Sequence, residues 1–288
     1  MPDPSSLVLV VTAPEDAPCL NATLTDTITR IVAKDAIIER RWLATGEAWE
    51  LRIVPQADGG ERLRQQAAMV LIGLPVDVNI ISEDGTPRRK RLLIADMDST
   101  IIEQECIDEI AEFAGVREKV SAVTESAMRG ELDFAEALTS RVSLLAGLEI
   151  AYLDEIIASR ISLMPGARAL VATMKAHGAH TALVSGGFTY FTDRIANAVG
   201  FDTNQANRLS ISDGRLCGTV EPPILGREAK LAALKNQAKT LGITLSETLA
   251  VGDGAKYLAM IQAAGLALAY RAKPIVAAEA QAAIKHGK

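Results

Sequence analysis

The sequence has few cysteines and few aromatic residues. Its three cysteines, Cys19, Cys106 and Cys217, lie far apart and form no CxxC pair. We therefore expect neither a disulfide framework nor a structural zinc site, and reduced thiols are typical of a cytoplasmic protein. Aromatic residues make up only 4% of the chain, which argues against a surface that stacks on sugars or nucleic-acid bases.

The sequence also lacks an excess of positive charge and long apolar runs. The net charge of −6 argues against a general nucleic-acid binder, because a phosphate backbone requires a basic face. No uncharged apolar run approaches the length of about 18 residues that a membrane span requires. The N-terminal MPDPSS lacks the basic start of a signal peptide. The sequence thus predicts no nucleic-acid partner and no membrane partner.

The first 82 residues are expected to form a domain of their own. Strand-like and helix-like runs follow one another there in the order β-α-β-β-α-β, which predicts the ferredoxin-like arrangement. Residues 83–91 contain Gly, Pro and the basic run RRKR. We interpret them as a solvated linker, and the alternative for the basic run is contact with a nucleic acid.

Residues 92–288 show a different pattern, in which short apolar runs alternate with helical stretches. The apolar runs are RLLIAD (91–96), HTALVSGG (180–187), ETLAVGDG (247–254) and LALAYRA (266–272), and helical spacing occupies 165–177, 189–199, 226–241 and 256–264. This alternation predicts an α/β domain with a doubly wound parallel sheet. A helical pattern at about 103–163 interrupts it, and we expect an inserted helical cap there that acts as a lid.

Polar side chains stand at the ends of three of these apolar runs: Asp96 and Asp98, Ser185, and Asp253. The carboxyl ends of parallel strands lie at one edge of a sheet, so these groups are expected to converge. Carboxylates gathered in this way require a cation, and oxygen ligands of this kind suit Mg²⁺ with a substrate phosphate. Lys230, in the helical stretch before the third run, would balance the phosphate charge.

Each of these residues also has a plain structural interpretation. Asp96 and Asp98 would cap a following helix, because Asp near a helix start accepts from free N–H groups. Ser185 with its two glycines would form a tight turn, and Asp253 in GDG is a turn signal. Lys230 would be one exposed helical lysine among several. The residues alone leave both interpretations open.

A family resemblance favours the chemical interpretation. DMDST resembles the first motif of the haloacid dehalogenase superfamily, SGGF the second, Lys230 the third, and GDGAKYLAM the fourth, in that order along the chain. RVSLLAG, Glu105 and the small N-terminal domain are similar to the phosphoserine phosphatases within it. The resemblance implies a Mg²⁺-dependent phosphatase that hydrolyses O-phospho-L-serine to serine and phosphate, the last step of serine biosynthesis.

The resemblance also implies roles for residues of the motifs. Asp96 would be the nucleophile that forms an aspartyl-phosphate, and Asp98 the general acid and base. Asp96, the backbone carbonyl of Asp98, and Asp253 would hold the Mg²⁺. Ser185, the amide of Gly186, and Lys230 would hold the phosphoryl oxygens.

Four residues of the predicted insertion complete the implied site. Glu105 would bind the ammonium group of phosphoserine, and Arg141 its carboxylate, by a bidentate contact. Both could equally be surface charges. Met128 and Phe134 would be apolar contacts of the lid.

The fourth motif departs from the family pattern. Lys256 stands where the family has asparagine, and Tyr257 where it has a second aspartate. Lys256 either pairs with Asp253 and competes with Mg²⁺, or points at the substrate phosphate. Two alternatives therefore stay open: a phosphatase or phosphotransferase for another small phosphate ester, and a weakened family member that regulates by binding an amino acid.

The N-terminal domain, residues 1–82, resembles ACT-type modules. Such modules pair and bind amino acids at their interface. The resemblance implies a homodimer with L-serine as a feedback ligand.

Overall fold

The chain forms two compact units in the computed structural model, which describes residues 6–58, 60–83, 87–254 and 258–287. One unit combines residues 1–90 with 246–288, and the other consists of residues 91–245. The bounds predicted from the sequence follow the order of elements along the chain rather than contacts, and they stay a prediction.

The N-terminal part of the first unit is an antiparallel sheet with two helices. Its elements are β1 (Leu7–Thr12), α1 (Ala22–Ile31), β2 (Ile37–Ala44), β3 (Ala48–Ile53), α2 (Glu61–Val70) and β4 (Asp77–Ser82). The four strands lie in the order β2-β3-β1-β4. This is the β-α-β-β-α-β order expected from the sequence.

Apolar alternation and a helix cap explain these elements. Leu9, Ile28 and Leu51 are completely buried between the sheet and the helices. Asn21 precedes α1, and its side chain accepts a hydrogen bond from Leu24 N at 3.1 Å. Such a cap satisfies one of the amides that a helix start leaves unpaired.

The basic run before the second unit is engaged in ion pairs. Arg88 pairs with Glu50 and with Glu83, and Glu50 also pairs with Arg41 at 2.7 Å. Lys90 Nζ donates to the carbonyl oxygen of Ser246 at 2.7 Å. Part of the charge of the run is therefore used within the first unit, and the interpretation of residues 83–91 as a linker stays a prediction.

The second unit contains the alternating strands and helices. Its elements are β5 (Leu92–Ala95), α3 (Cys106–Phe113), α4 (Arg117–Met128), α5 (Phe134–Ser143), α6 (Ile150–Ser159), α7 (Ala167–Ala176), β6 (His180–Phe188), α8 (Thr189–Val199), β7 (Thr203–Ser212), β8 (Arg215–Glu221) and α9 (Arg227–Thr240). The strands lie in the order β5-β6-β7-β8. β5 and β6 pair in parallel, as do β6 and β7. The α/β fold with a parallel sheet is thereby confirmed.

The antiparallel hairpin of β7 and β8 was not predicted. Residues 201–225 lie outside the strands and helices expected from the sequence. Asp213 and Gly214 form its turn with φ angles of 50° and 73°. Asp-Gly is a favoured pair for a two-residue hairpin turn with positive φ at both positions, so a signal was present in the sequence.

Helices α3–α6 follow β5 and precede β6 along the chain, within the segment predicted as an insertion. The two ends of this segment meet, because Ile102 bridges Leu163 and Glu103 N donates to Ser162 O at 3.0 Å. The far side contacts the β7–β8 hairpin, where Gly147 N donates to Leu216 O at 2.8 Å. The insertion is therefore held at two places within the second unit.

The C-terminal residues complete the first unit with parallel strands. The elements are β9 (Thr248–Gly252), α10 (Leu258–Ala263), β10 (Leu266–Tyr270), α11 (Pro274–Glu279) and β11 (Ala282–Ile284), with β10 paired in parallel to both β9 and β11. The buried carboxylate of Asp77 accepts from the backbone amides of Lys285, His286 and Gly287. These bonds tie the chain end to β4.

Two further expectations concern the cysteines and the membrane. All three cysteines are free thiols. Within the described ranges, none of the helices combines the length and the apolar character that crossing a bilayer demands.

We predict that Glu50→Gln lowers the free energy of unfolding by about 1–3 kcal/mol at pH 7, because a nearly buried carboxylate loses its charge between two arginines. The Glu50 side chain is 3% exposed. Asp26→Asn is the matched control, since the Asp26–Arg40 pair is about half exposed. It should change stability by less than about 0.5 kcal/mol. Urea denaturation measures both, and equal effects would contradict the prediction.

The difference in stability between wild type and Glu50→Gln should also depend on pH. Burial raises the pKa of Glu50, but the hydrogen bonds and charges of Arg88 and Arg41 outweigh burial, so the pKa lies below its ordinary value of 4.5. A carboxyl group with a lowered pKa stabilises the fold above its unfolded pKa, and this contribution is lost as the pH falls. The gap between wild type and Glu50→Gln should narrow from pH 7 to pH 3.

Candidate active site

A buried ion pair lies at the end of β5. The four residues of β5 are all buried, as expected of a parallel strand covered on both faces, and Asp96 follows them at 1% exposure. Lys230, on α9, is buried as well and donates from Nζ to Asp96 Oδ1 at 2.8 Å. The interpretation of Lys230 as an exposed helical lysine is therefore wrong.

The second oxygen of Asp96 differs from the first. Oδ2 is buried and accepts no hydrogen bond within the described residues. A buried carboxylate oxygen without a donor is costly unless a cation or a reacting group compensates it. This oxygen is therefore available to a metal ion or to an electrophile.

Asp98 is bonded through both carboxylate oxygens. Oδ1 accepts from the backbone amide of Cys106, the first residue of α3, at 2.9 Å. Oδ2 accepts from Ser185 Oγ at 3.1 Å. The capping interpretation thus holds for one oxygen of Asp98, and the other joins the end of β6.

Ser185 links Asp98 to the glycines at the end of β6. Its Oγ donates to Asp98 and accepts from Gly187 N at 2.8 Å. A methyl group at Gly187 would lie 3.1 Å from both Asp98 Oδ2 and Ser185 Oγ, so any larger residue would force these two side chains to shift by a few tenths of an ångström. Ser185 lies within β6, which continues to Phe188, so the structure does not show the tight turn, and the side chain instead contacts the acidic site.

The turn after Asp98 carries backbone strain. Ser99 has a φ of 55°, in the left-handed region that non-glycine residues rarely adopt. Met97 O accepts the amides of Thr100, Ile101 and Ile102, which closes the turn. Ser99 Oγ donates to Glu105 Oε1 at 2.9 Å. The turn thus places Glu105 close to the aspartates.

The surroundings of Asp98 change its acidity. Burial, together with the negative charges of Glu105 and Asp96, raises the pKa of Asp98 to about 6, although the hydrogen bond from the Cys106 amide acts in the opposite direction. A carboxyl group with this pKa can donate a proton and accept one near neutral pH.

The insertion reaches the glycines through Phe134. A methyl group at Gly186 would lie 3.3 Å from Phe134 Cζ, and one at Gly226 would lie 3.0 Å from Phe134 Cδ1. Phe134 is the first residue of α5, whose start is set by reciprocal hydrogen bonds between Asp133 and Glu136. Phe134 therefore covers two segments of the site at once.

The other predicted residues of the insertion differ in position. Arg141, on α5, is half-buried and donates from Nε to Ala137 O at 3.1 Å. Burial lowers the pKa of Arg141, and the charges of Asp108 and Glu105 partly offset this. Met128, at the end of α4, is 74% exposed, and the structure does not bring it into the site.

Sequence reasoning missed Asn207. This residue of β7 is 1% exposed, and its side chain bonds to the backbone of Gly186 and of Leu225. A buried asparagine must satisfy both its donors and its acceptor, but its burial is seen only once β7 is packed, so the sequence carries no signal for it.

The residues of the fourth motif are not part of the second unit. Asp253 follows β9 in the first unit and is half-buried, while Lys256 and Tyr257 lie outside the described residues. No group of three or more His, Cys, Asp or Glu side chains in the described ranges is arranged to hold a metal ion. The predicted Mg²⁺ set includes the backbone carbonyl of Asp98, so it requires only two carboxylate ligands.

Comparison with known proteins identifies the family. The profile of haloacid dehalogenase-like hydrolases matches residues 93–260. The chain belongs to this family. Its parallel strands, and the acidic residues that follow β5, are thus those of a haloacid dehalogenase-like hydrolase.

Individual relatives narrow the comparison. The chain is 44% identical over 224 residues to a phosphoserine phosphatase of Streptomyces coelicolor, over 78% of this chain and 54% of the relative. It is 45% identical over 215 residues to that of Polaromonas sp., over 73% of this chain and 91% of the relative. The structure of a probable phosphoserine phosphatase from Vibrio cholerae superposes with a TM-score of 0.76 at 32% identity, covering 98% of this chain and 83% of that one. The match spans about half the length of the Streptomyces relative.

For this haloacid dehalogenase-like hydrolase we predict that Lys230→Met destabilises the metal-free protein by about 3–5 kcal/mol, because the buried Asp96 loses its cation. Lys235→Met is the control, since Lys235 is exposed on the same helix. The double variant Asp96→Asn/Lys230→Met should lose less than the sum of the single variants, because no buried charge is left unpaired. Urea denaturation in EDTA measures wild type, both single variants, the double variant and the control, and additive losses would contradict the predicted coupling.

Proposed function

We propose that the chain is a Mg²⁺-dependent phosphoric monoester hydrolase that converts O-phospho-L-serine and water to L-serine and phosphate, as the last step of serine biosynthesis. The observation that carries this proposal is the buried Asp96, whose Oδ2 accepts no hydrogen bond within the described residues while Lys230 holds Oδ1. The similarity to phosphoserine phosphatases supports the choice of substrate.

Two aspartates would divide the reaction between them. Asp96 Oδ2 attacks phosphorus and forms an aspartyl-phosphate as the bond from phosphorus to the serine oxygen breaks. Asp98 gives its proton to that oxygen and then takes a proton from the water that hydrolyses the intermediate. A pKa of about 6 for Asp98 supports this double role.

The phosphoryl oxygens would be held from two elements. Lys230, on α9, supplies a positive charge, and the Gly186 amide at the end of β6 supplies an N–H donor. Ser185 would exchange its acceptor Asp98 Oδ2 for a phosphoryl oxygen. These donors stabilise the charge that spreads over the phosphoryl group in the transition state.

Mg²⁺ fits the residues that are present. Asp96 and the carbonyl oxygen of Asp98 would hold it, and the proposal that Asp253 joins them rests on its place in the fourth motif. When bound, the ion neutralises negative charge on the carboxylates and on the phosphoryl group.

The insertion would select the serine part of the substrate. Glu105, held by Ser99, would bind the ammonium group, and Arg141 would bind the carboxylate. Phe134 already contacts Gly186 and would form the apolar lid. Met128 is exposed, so its proposed contact requires the cap to close over the substrate.

We also propose that residues 1–82 form an ACT-like regulatory domain that pairs two chains into a homodimer and binds L-serine. The ferredoxin-like order of its elements supports this, as does β2 at the open edge of the sheet. Residues 83–91 would be the linker, and 92–288 the phosphatase domain with its cap at about 103–163. The free cysteines support a cytoplasmic location. A mass in light scattering that equals one chain would contradict the dimer.

We predict that the purified protein releases phosphate from O-phospho-L-serine only with Mg²⁺, and that Asp96→Asn lowers this activity by at least about 10³-fold, because the nucleophile is lost. Phosphate release in a colorimetric assay measures it.

Restoring the family residues with Lys256→Asn/Tyr257→Asp should strengthen Mg²⁺ binding by about 10–100-fold. Failure to release phosphate from any small ester would favour the amino-acid-binding regulator instead.

Arg141 decides between phosphoserine and another small phosphate ester. We predict that Arg141→Ala lowers kcat/KM for phosphoserine by about 100-fold and changes it for p-nitrophenyl phosphate by less than about three-fold, because only the first substrate has a carboxylate. Arg129→Ala is the control, since Arg129 is exposed and pairs with Glu131. An equal loss on both substrates would contradict selection of the serine part.

A further inference from the structure

The strand pairing beside the candidate phosphate site is interrupted. β6 and β7 pair in parallel up to Val184 and Gln205, and the register then shifts before Phe188 pairs with Asn207. Ser185, Gly186 and Gly187 lie in this gap, so the regular backbone ladder does not hold them.

The side chain of Asn207 bonds to the backbone in this gap. Its Nδ2 donates to Gly186 O at 2.9 Å and to Leu225 O at 3.1 Å, and its Oδ1 accepts from Leu225 N at 2.7 Å. Both donors and the acceptor of the buried amide are used. Asn207 therefore joins the end of β6 to the segment that leads into α9.

The bond to Gly186 O orients a second group. The carbonyl of Gly186 and the amide of Gly187 belong to one planar peptide, in which they point in opposite directions. With the carbonyl held by Asn207, the Gly187 N–H points at Ser185 Oγ, 2.8 Å away. Ser185 Oγ then has its proton left to donate, and here it donates to Asp98.

The bonds to Leu225 act on the other side of the site. Leu225 lies two residues before the start of α9, the helix that carries Lys230. Phe134 covers both segments from the insertion, because it contacts Gly186 and Gly226. Asn207 thus joins the segment that carries the Gly186 amide and the Ser185 hydroxyl to the helix that carries the Lys230 ammonium group.

We propose that Asn207 is a positioning residue of this active site: its carboxamide sets the Gly186–Gly187 peptide and the start of α9 in the geometry that binds a phosphoryl group. This inference rests on the proposed function. Asn207 does not touch the phosphoryl group and acts through the peptide and through α9.

The test compares Asn207→Ala with Thr192→Val. Thr192 is also buried, and its hydroxyl donates to Asn204 Oδ1 on β7 at 2.8 Å, a bond that does not involve Gly186 or Leu225. Both variants lose a buried hydrogen bond of β7 and should lose thermal stability. Only Asn207→Ala should affect the phosphoryl site.

Asn207→Ala should lower kcat by about 10–100-fold on both phosphoserine and p-nitrophenyl phosphate, since a misplaced donor weakens the transition state of either substrate. KM for both substrates should rise by up to about 10-fold as well, since the same donors also hold the phosphoryl group in the ground state. Isothermal titration with inorganic phosphate and Mg²⁺ should show binding weakened by about 10-fold or more. Thr192→Val should match wild type in kcat and in phosphate affinity.

Wild-type kcat and phosphate affinity in a destabilised Asn207→Ala protein would overturn the proposal and leave Asn207 a structural role only. If Asn207→Ala does not fold, Asn207→Ser, assayed at 15 °C with its fold checked by circular dichroism, takes its place with the same expected losses. A wild-type protein that binds phosphate but hydrolyses no ester would refute the proposed function alone, because phosphate affinity still tests Asn207. A wild-type protein that binds no phosphate would refute both.

Discussion

A carboxylate removed from water must find a compensating charge, and the second unit of this protein is arranged around one such group. Asp96 ends a fully buried strand at 1% exposure, and Lys230 meets it 2.8 Å away. The lysine comes from α9, far along the chain, so β5 and α9 must be placed accurately relative to each other. Breaking a buried pair of this kind costs about 3–5 kcal/mol, a large part of the stability of an ordinary domain. The oxygen of Asp96 that Lys230 does not reach is the group that the site offers for chemistry.

Neutral polar groups then orient the parts of the site that the ion pair does not contact. The Asn207 amide holds the Gly186 peptide, that peptide turns the Gly187 amide toward Ser185, and the Ser185 hydroxyl reaches Asp98. Each link is short and mostly buried, so none can move without leaving a polar group unsatisfied. The insertion adds Phe134 to the same glycines, and its far side is bonded to the β7–β8 hairpin. Movement of the cap would therefore involve the hairpin as well as the two chain connections.

Much of the architecture could be predicted because its signals are local. LLIA in β5 and the apolar run of β6 are buried on both faces and read as continuous apolar segments, which distinguishes parallel strands from half-exposed ones. The hairpin of β7 and β8 was missed because most residues of β7 are polar and only three of them are buried, so that the segment resembles a loop. Asp213 and Gly214 were its one clear signal. Met128 was assigned to the lid by resemblance, and its exposure could not be foreseen because it depends on where α4 ends against its neighbours.

The sequence by itself determined the α/β class, the family and the order of the elements outside residues 201–225 and 273–288, because the spacing of apolar residues and the composition of four short motifs are properties of contiguous chain. Only the tertiary structure decided which oxygen of Asp96 is paired, that Asp98 bonds both to a helix start and to Ser185, and that Asn207 spans a gap in the sheet. These contacts join residues that are distant along the chain. Hydrogen bonds act only over about 3 Å, so no pattern within a segment can reveal them before the segments are packed together.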